Sequence, residues 1–159
     1  MRKLYMLFFV ALLGPAPAMA GAGLQAFEAD SLVHILEAHK GKPFVLILWS
    51  LECEYCQASL QALSQEKRKH RHLHVVTLST DAAGDPQAAK LMRTRLASLG
   101  MASDAWAFGA APAEQLRYIV DPKWHGEMPR SYWFDARGKR VAYSGVLTAP
   151  TLKKLTADW

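Results

Sequence analysis

Phe44-Val-Leu-Ile-Leu-Trp-Ser-Leu-Glu-Cys-Glu-Tyr-Cys-Gln57 is the stretch on which the fold turns. Phe44 to Trp49 is an unbroken run of apolar, largely strand-forming residues. A strand with one wet face would alternate, so this run fits a central strand buried on both faces. Ser50 to Glu54 interrupt it. From about Tyr55 to His70 the pattern becomes helical, with Ala58, Leu60, Ala62 and Leu63 as inward positions. Cys53 and Cys56, the two cysteines of the chain, therefore stand where a buried strand becomes a helix. A disulfide across two residues closes too small a ring to constrain the unfolded chain much, so the spacing points to redox chemistry rather than to a staple.

Upstream of this stretch, Asp30 or Ser31 can cap a helix whose apolar residues are Leu32, Val33, Ile35 and Leu36. That helix ends at Gly41, and Pro43 prevents it from resuming. Downstream, His74 to Ser79 reads as a strand, and Asp85-Pro86 opens a helix that runs to about Leu99 and stops at Gly100. Met101 to Ala111 shows no clear period. Pro112 to Val120 forms a short helix stopped by Asp121-Pro122. Arg130 to Asp135 and Lys139 to Ser144 are strands joined by the hairpin turn Asp135-Ala-Arg-Gly138. Thr148 caps a last helix to about Ala157. No repeat or linker divides the chain, so the sequence predicts one α/β domain over residues 21–159, a mixed sheet with helices on both faces.

Residues 1–20 read as a signal peptide: Arg2 and Lys3, the apolar run Leu4 to Leu13, then Ala18-Met-Ala20 as the cleavage site. The alternative is a retained anchor, but an apolar run of about ten residues falls short of the roughly 20 that span a bilayer. Export to the periplasm is the expectation, in a compartment that permits disulfides. Removing Arg2 and Lys3 lowers the formal charge from +5 to +3. That modest excess, without a dense basic face interleaved with aromatics, gives no nucleic-acid footprint.

Disulfide exchange needs a thiolate, and an unperturbed cysteine near 8.5 supplies little of it at neutral pH. At a helix N-terminus, free backbone N–H groups and the helix dipole favour negative charge, which makes Cys53 the attacking sulfur. Cys56, one turn on, can resolve the mixed disulfide. Glu52 and Glu54 flank the nucleophile, and like charge disfavours the thiolate, which leans the couple toward reduction of its partners unless both side chains point into solvent. A zinc site built from Cys53, Cys56, His70 and His74, with His72 nearby, has suitable spacing. A helix from Tyr55 to His70 would, however, separate the two halves by about 20 Å, too far for one ion. A copper(I) or thiol carrier without turnover is a further alternative, although only Met128 among the methionines is placed near the cysteines. No cofactor is called for.

Val45 to Gln57 resembles the strand, tryptophan and active-site motif of thioredoxin-like proteins, particularly the exported TlpA and ResA branch. Gly126-Glu-Met-Pro-Arg-Ser-Tyr-Trp-Phe-Asp-Ala-Arg-Gly138 is similar to that branch's cis-proline segment. The resemblance covers most of residues 21–159 and implies a thioredoxin fold. It makes Cys53 and Cys56 the catalytic pair, Pro129 the cis-proline, and Met128 and Trp49 further substrate-facing positions. It also implies client proteins with disulfides, such as apocytochromes c, and a membrane thiol reductant of the DsbD or CcdA type. Three departures stand out. Two residues rather than one separate Gly126 from Pro129, Ile47 replaces the buried acid of thioredoxin, and Ser59 replaces the glutamate of the ResA type. Glu52, Glu54 or water would then move the proton.

Overall fold

The computed structural model describes residues 23–70 and 72–157. The signal peptide expected over residues 1–20 lies outside them. In chain order the elements are β1 (Gln25–Phe27), α1 (Ser31–Ala38), β2 (Phe44–Trp49), α2 (Glu54–Lys69), β3 (His74–Ala82) and α3 (Pro86–Ser98). A 3-10 turn (Ala102–Asp104) leads to β4 (Ala105–Phe108), then α4 (Ala113–Val120), β5 (Arg130–Phe134), β6 (Arg140–Ser144) and α5 (Ala149–Leu155). The strands form one six-stranded sheet in the order β1-β4-β3-β2-β5-β6. β2 pairs parallel with β3 and antiparallel with β5, so the sheet is mixed as expected.

Every residue of β2 is buried, and its side chains alternate between two cores. Val45, Ile47 and Trp49 join Cys56, Leu60 and Leu63 of α2, Met92 and Leu96 of α3 and Leu152 of α5 on one face. Phe44, Leu46 and Leu48 join Ile35 of α1 and Leu116 and Val120 of α4 on the other. Both faces of the central strand are thus dry, which explains why its sequence does not alternate.

Several local expectations are corrected. β1 and β4 were not legible: three and four residues are too short to display a period, and β4 has alanine at two of its four positions. Val33 and Leu36 of α1 are exposed, so Ile35 carries its burial with help from Leu32. Ala58 of α2 also faces solvent, while Ser59 and Ser64 take inward positions beside Leu60 and Leu63. Asp30 occupies the N-cap of α1 without a side-chain bond. Ser31 Oγ instead accepts the Glu28 N–H at 2.8 Å. At α3 the expected cap is present, with Asp85 accepting from the N–H groups of Gln87 and Ala88.

Candidate functional site

α2 begins one residue earlier than its pattern suggested, and Cys53 is its N-cap. The Cys53 sulfur accepts the Cys56 N–H at 3.2 Å, occupying the place a Ser or Asp oxygen takes in an ordinary cap. Cys53 and Cys56 are joined in a disulfide, with Cα atoms 5.2 Å apart. Their surroundings differ. Cys56 is fully buried between α2 and the sheet, whereas Cys53 is only partly covered. Reduction of this bond would leave one accessible sulfur on the positive end of a sixteen-residue helix and a second one behind it.

The turn that presents Cys53 is held from three sides. Leu51 N–H donates to Asp81 Oδ2 at 2.8 Å, and Ser79 Oγ donates to the same oxygen at 2.6 Å. Arg95 of α3 donates to Leu51 O at 3.4 Å. Gln57 Nε2 reaches back to Ser50 O at 3.2 Å. Sequence reading missed Asp81, because it ended the strand at Ser79, three residues early. The available signal was an acid just past a parallel strand, since ligand-facing groups in α/β sheets gather at the strands' carboxyl ends.

The Met128–Pro129 peptide bond is cis. Antiparallel register pairs Leu48 with Arg130, which carries Pro129 to the level of Trp49, beside the Ser50–Cys53 turn. Met128 packs against both cores, and Thr80 Oγ1 lies 3.8 Å from its sulfur. Trp49 is fully buried, so it supports the disulfide from beneath and offers no surface to a partner. This corrects its expected place among the substrate-facing residues. Glu52 and Glu54 are exposed and form no hydrogen bond or ion pair among the described residues. The residues of the zinc alternative are split by α2, with Cys53 at its N-cap and His70 at its C-cap, about 26 Å apart along the axis. Among the described residues no group of three or more His, Cys, Asp or Glu side chains is arranged to hold a metal ion, and no helix is long and apolar enough to cross a membrane.

Ser59, at the position of the ResA-type glutamate, is fully buried. It donates to Tyr55 O at 3.3 Å and accepts the N–H of Leu147 at 3.0 Å. The hydroxyl fastens the segment before α5 to α2. Ser59→Ala leaves the Leu147 N–H orphaned in the core and is expected to cost about 1–3 kcal/mol. Urea unfolding would show this as a lower midpoint at unchanged slope, with the cysteine chemistry intact.

No family model and no curated protein matches the sequence. Solved structures do. A secreted Mycobacterium tuberculosis disulfide oxidoreductase homologous to Escherichia coli DsbE superposes with a TM-score of 0.58 at 17% identity, over 77% of this chain and 86% of that one. A thioredoxin-family thiol:disulfide interchange protein from Chlorobium tepidum gives 0.58 at 15% identity, over 77% and 82%. The thioredoxin domain of a Bacteroides vulgatus thiol-disulfide oxidoreductase gives 0.57 at 15% identity, over 77% and 81%. The chain has the thioredoxin fold. Within the thioredoxin fold, the disulfide at the start of α2 and the cis-proline before β5 both lie at the C-terminal end of β2.

Proposed function

We propose that this protein is an exported thiol-disulfide oxidoreductase that reduces disulfides of client proteins in the periplasm. The supporting observation is the inequality of the two sulfurs: Cys53 partly accessible at a helix N-terminus, Cys56 sealed behind it. In the reduced protein the Cys53 thiolate attacks one sulfur of a partner disulfide, and the partner's other sulfur leaves as a thiolate and takes up a proton. Cys56, deprotonated, then attacks Cys53 in the mixed disulfide. The Cys53–Cys56 bond forms, the partner's second thiol is released, and two electrons have passed to the partner. Pro129 is buried, so an extended partner segment would lie against the half-buried Met128 and its backbone just ahead of the cis bond.

A membrane thiol reductant of the DsbD or CcdA type would return the pair to the dithiol. Residues 1–20 would direct export. Glu52 and Glu54, next to Cys53 in sequence, favour the reducing direction by adding negative charge near the sulfur that must become negative. Both are exposed, so water screens them and the effect is small. The double variant Glu52→Gln, Glu54→Gln is expected to raise the reduction potential by about 10 mV, read by equilibration against glutathione. The reading as a whole is tested by insulin reduction with dithiothreitol. Catalytic precipitation of the insulin B chain supports it, and stoichiometric copper binding without turnover contradicts it.

A further inference from the structure

Arg130, the residue after the cis-proline, sits at the centre of a charged knot that the reaction outlined above does not use. Its guanidinium donates through one nitrogen to Asp121 Oδ2 at 3.3 Å. Through the other it donates to Glu127 Oε1 at 3.1 Å and to Ser144 Oγ at 2.6 Å. Ser144 Oγ in turn donates to the same Glu127 oxygen at 3.0 Å. Tyr132 supplies its ring under the guanidinium, 5.0 Å from the centroid, and its hydroxyl donates to Asp121 at 3.1 Å. Arg140 stacks on the same ring and reaches Asp121 at 3.7 Å.

Asp121 and Glu127 are the two ends of the segment that connects α4 to the cis-proline. Asp121 is the C-cap of α4, and Glu127 is the residue that makes the Gly126-to-Pro129 spacing one longer than the resemblance leads one to expect. Between them, Trp124 donates to Glu127 O at 2.9 Å, and Gly126 takes a φ of +98°, a conformation that suits glycine. A single arginine thus ties the two ends of the segment together immediately before Met128, whose side chain packs against both cores. Burial opposes the charge on Asp121 and on Glu127. The Lys123 N–H, the Tyr132 hydroxyl and the two guanidiniums outweigh it at Asp121, and backbone, Ser144 and Arg130 contacts do so at Glu127. Both carboxyls are held below their ordinary values, so the knot stays ionised at neutral pH. The guanidinium's planar fork, able to serve two carboxylates at once, is what a lysine could not reproduce.

We infer that Arg130 is a positioning residue: by clamping Asp121 to Glu127 it fixes the height of Met128 beside Cys53 and so sets how well an extended client segment docks. The inference rests on the oxidoreductase reading, and its test separates the two. Arg130→Gln is expected to raise the KM for insulin about tenfold with kcat little changed, since the loop orients the client but does no chemistry. The equilibrium constant with dithiothreitol, which needs no docked peptide, should stay within about twofold. Amide exchange over residues 122–128 should quicken about tenfold while β2 and β3 stay protected. Arg130→Lys should restore part of the KM, and Glu127→Gln, at a partly exposed position that leaves the fold intact, should raise it about threefold. Unchanged loop exchange in both Arg130→Gln and Glu127→Gln overturns the clamp. So does faster exchange with an unaltered KM, and so does a KM that rises only in step with a displaced dithiothreitol equilibrium. A wild-type protein that turns over no insulin contradicts the oxidoreductase reading itself, before any variant is compared.

Discussion

Cys53→Ser is expected to lower insulin reduction by about a thousandfold or more, to the rate of dithiothreitol alone, because a hydroxyl does not ionise in the range where a thiolate forms. Cys56→Ser is expected to give a different failure. Cys53 still attacks, but no second sulfur follows, so the mixed disulfide persists and a covalent adduct with a partner survives denaturing, non-reducing electrophoresis. The asymmetry comes from the geometry: Cys53 caps α2 and is partly open, while Cys56 has no exposed surface. Adducts formed equally by both single variants, or by Cys53→Ser alone, would mean that the buried sulfur is the attacker and that the order of the two steps is wrong.

Leu60→Ala should unfold the domain more readily than any substitution at the reactive edge. Leu60 lies four residues after Cys56 on the same face of α2, fully buried against β2 and its neighbours in the core shared with Trp49, Met92 and Leu152. Truncation removes three carbons from a site bounded by a sheet and three helices, which has little freedom to collapse. A loss of about 2–5 kcal/mol is expected, lowering the melting temperature by roughly 10 °C. Calorimetry on the oxidised protein measures it. A shift of under about 2 °C would show that α2 is not seated on the sheet as described.

The cysteine pair and the central strand were legible because each is written locally. Phe44 to Trp49 needs no long-range knowledge to read as doubly buried, and Cys53 and Cys56 need only their spacing and their place at a strand-to-helix junction. Pro129 was legible through the segment around it, and its cis bond is present. What escaped reading depends on partners far away in sequence. The pairing of β1 with β4 joins residues about 80 positions apart, and neither strand is long enough to show a period. Asp81 gains its role from Leu51, thirty residues earlier. Glu127 looked like an extra residue in a familiar spacing, and only the folded chain brings Arg130, Ser144 and Asp121 together around it. Trp49 was misplaced for a simpler reason. Its alternation with Val45 and Ile47 sets it on the face covered by α2, and the motif resemblance outweighed that period.

The ionised knot carries a pH consequence. Asp121 and Glu127 are both held below their ordinary values in the folded state, so each contributes stability that is present above about pH 4 and lost as pH falls through the lowered folded value. Acid should therefore loosen the cis-proline loop before neutral or mildly alkaline conditions do, and urea midpoints measured from pH 7 down to about pH 3 would show the fall.

The most direct measurement is a redox titration of the purified domain, with free thiols counted by alkylation and mass across dithiothreitol buffers. Cys53 and Cys56 are predicted to appear and vanish together in one two-electron transition, closer to thioredoxin's roughly −270 mV than to DsbA's roughly −120 mV. Two sulfurs that never join, or a bond that no poise between about −100 and −350 mV opens, would contradict the account.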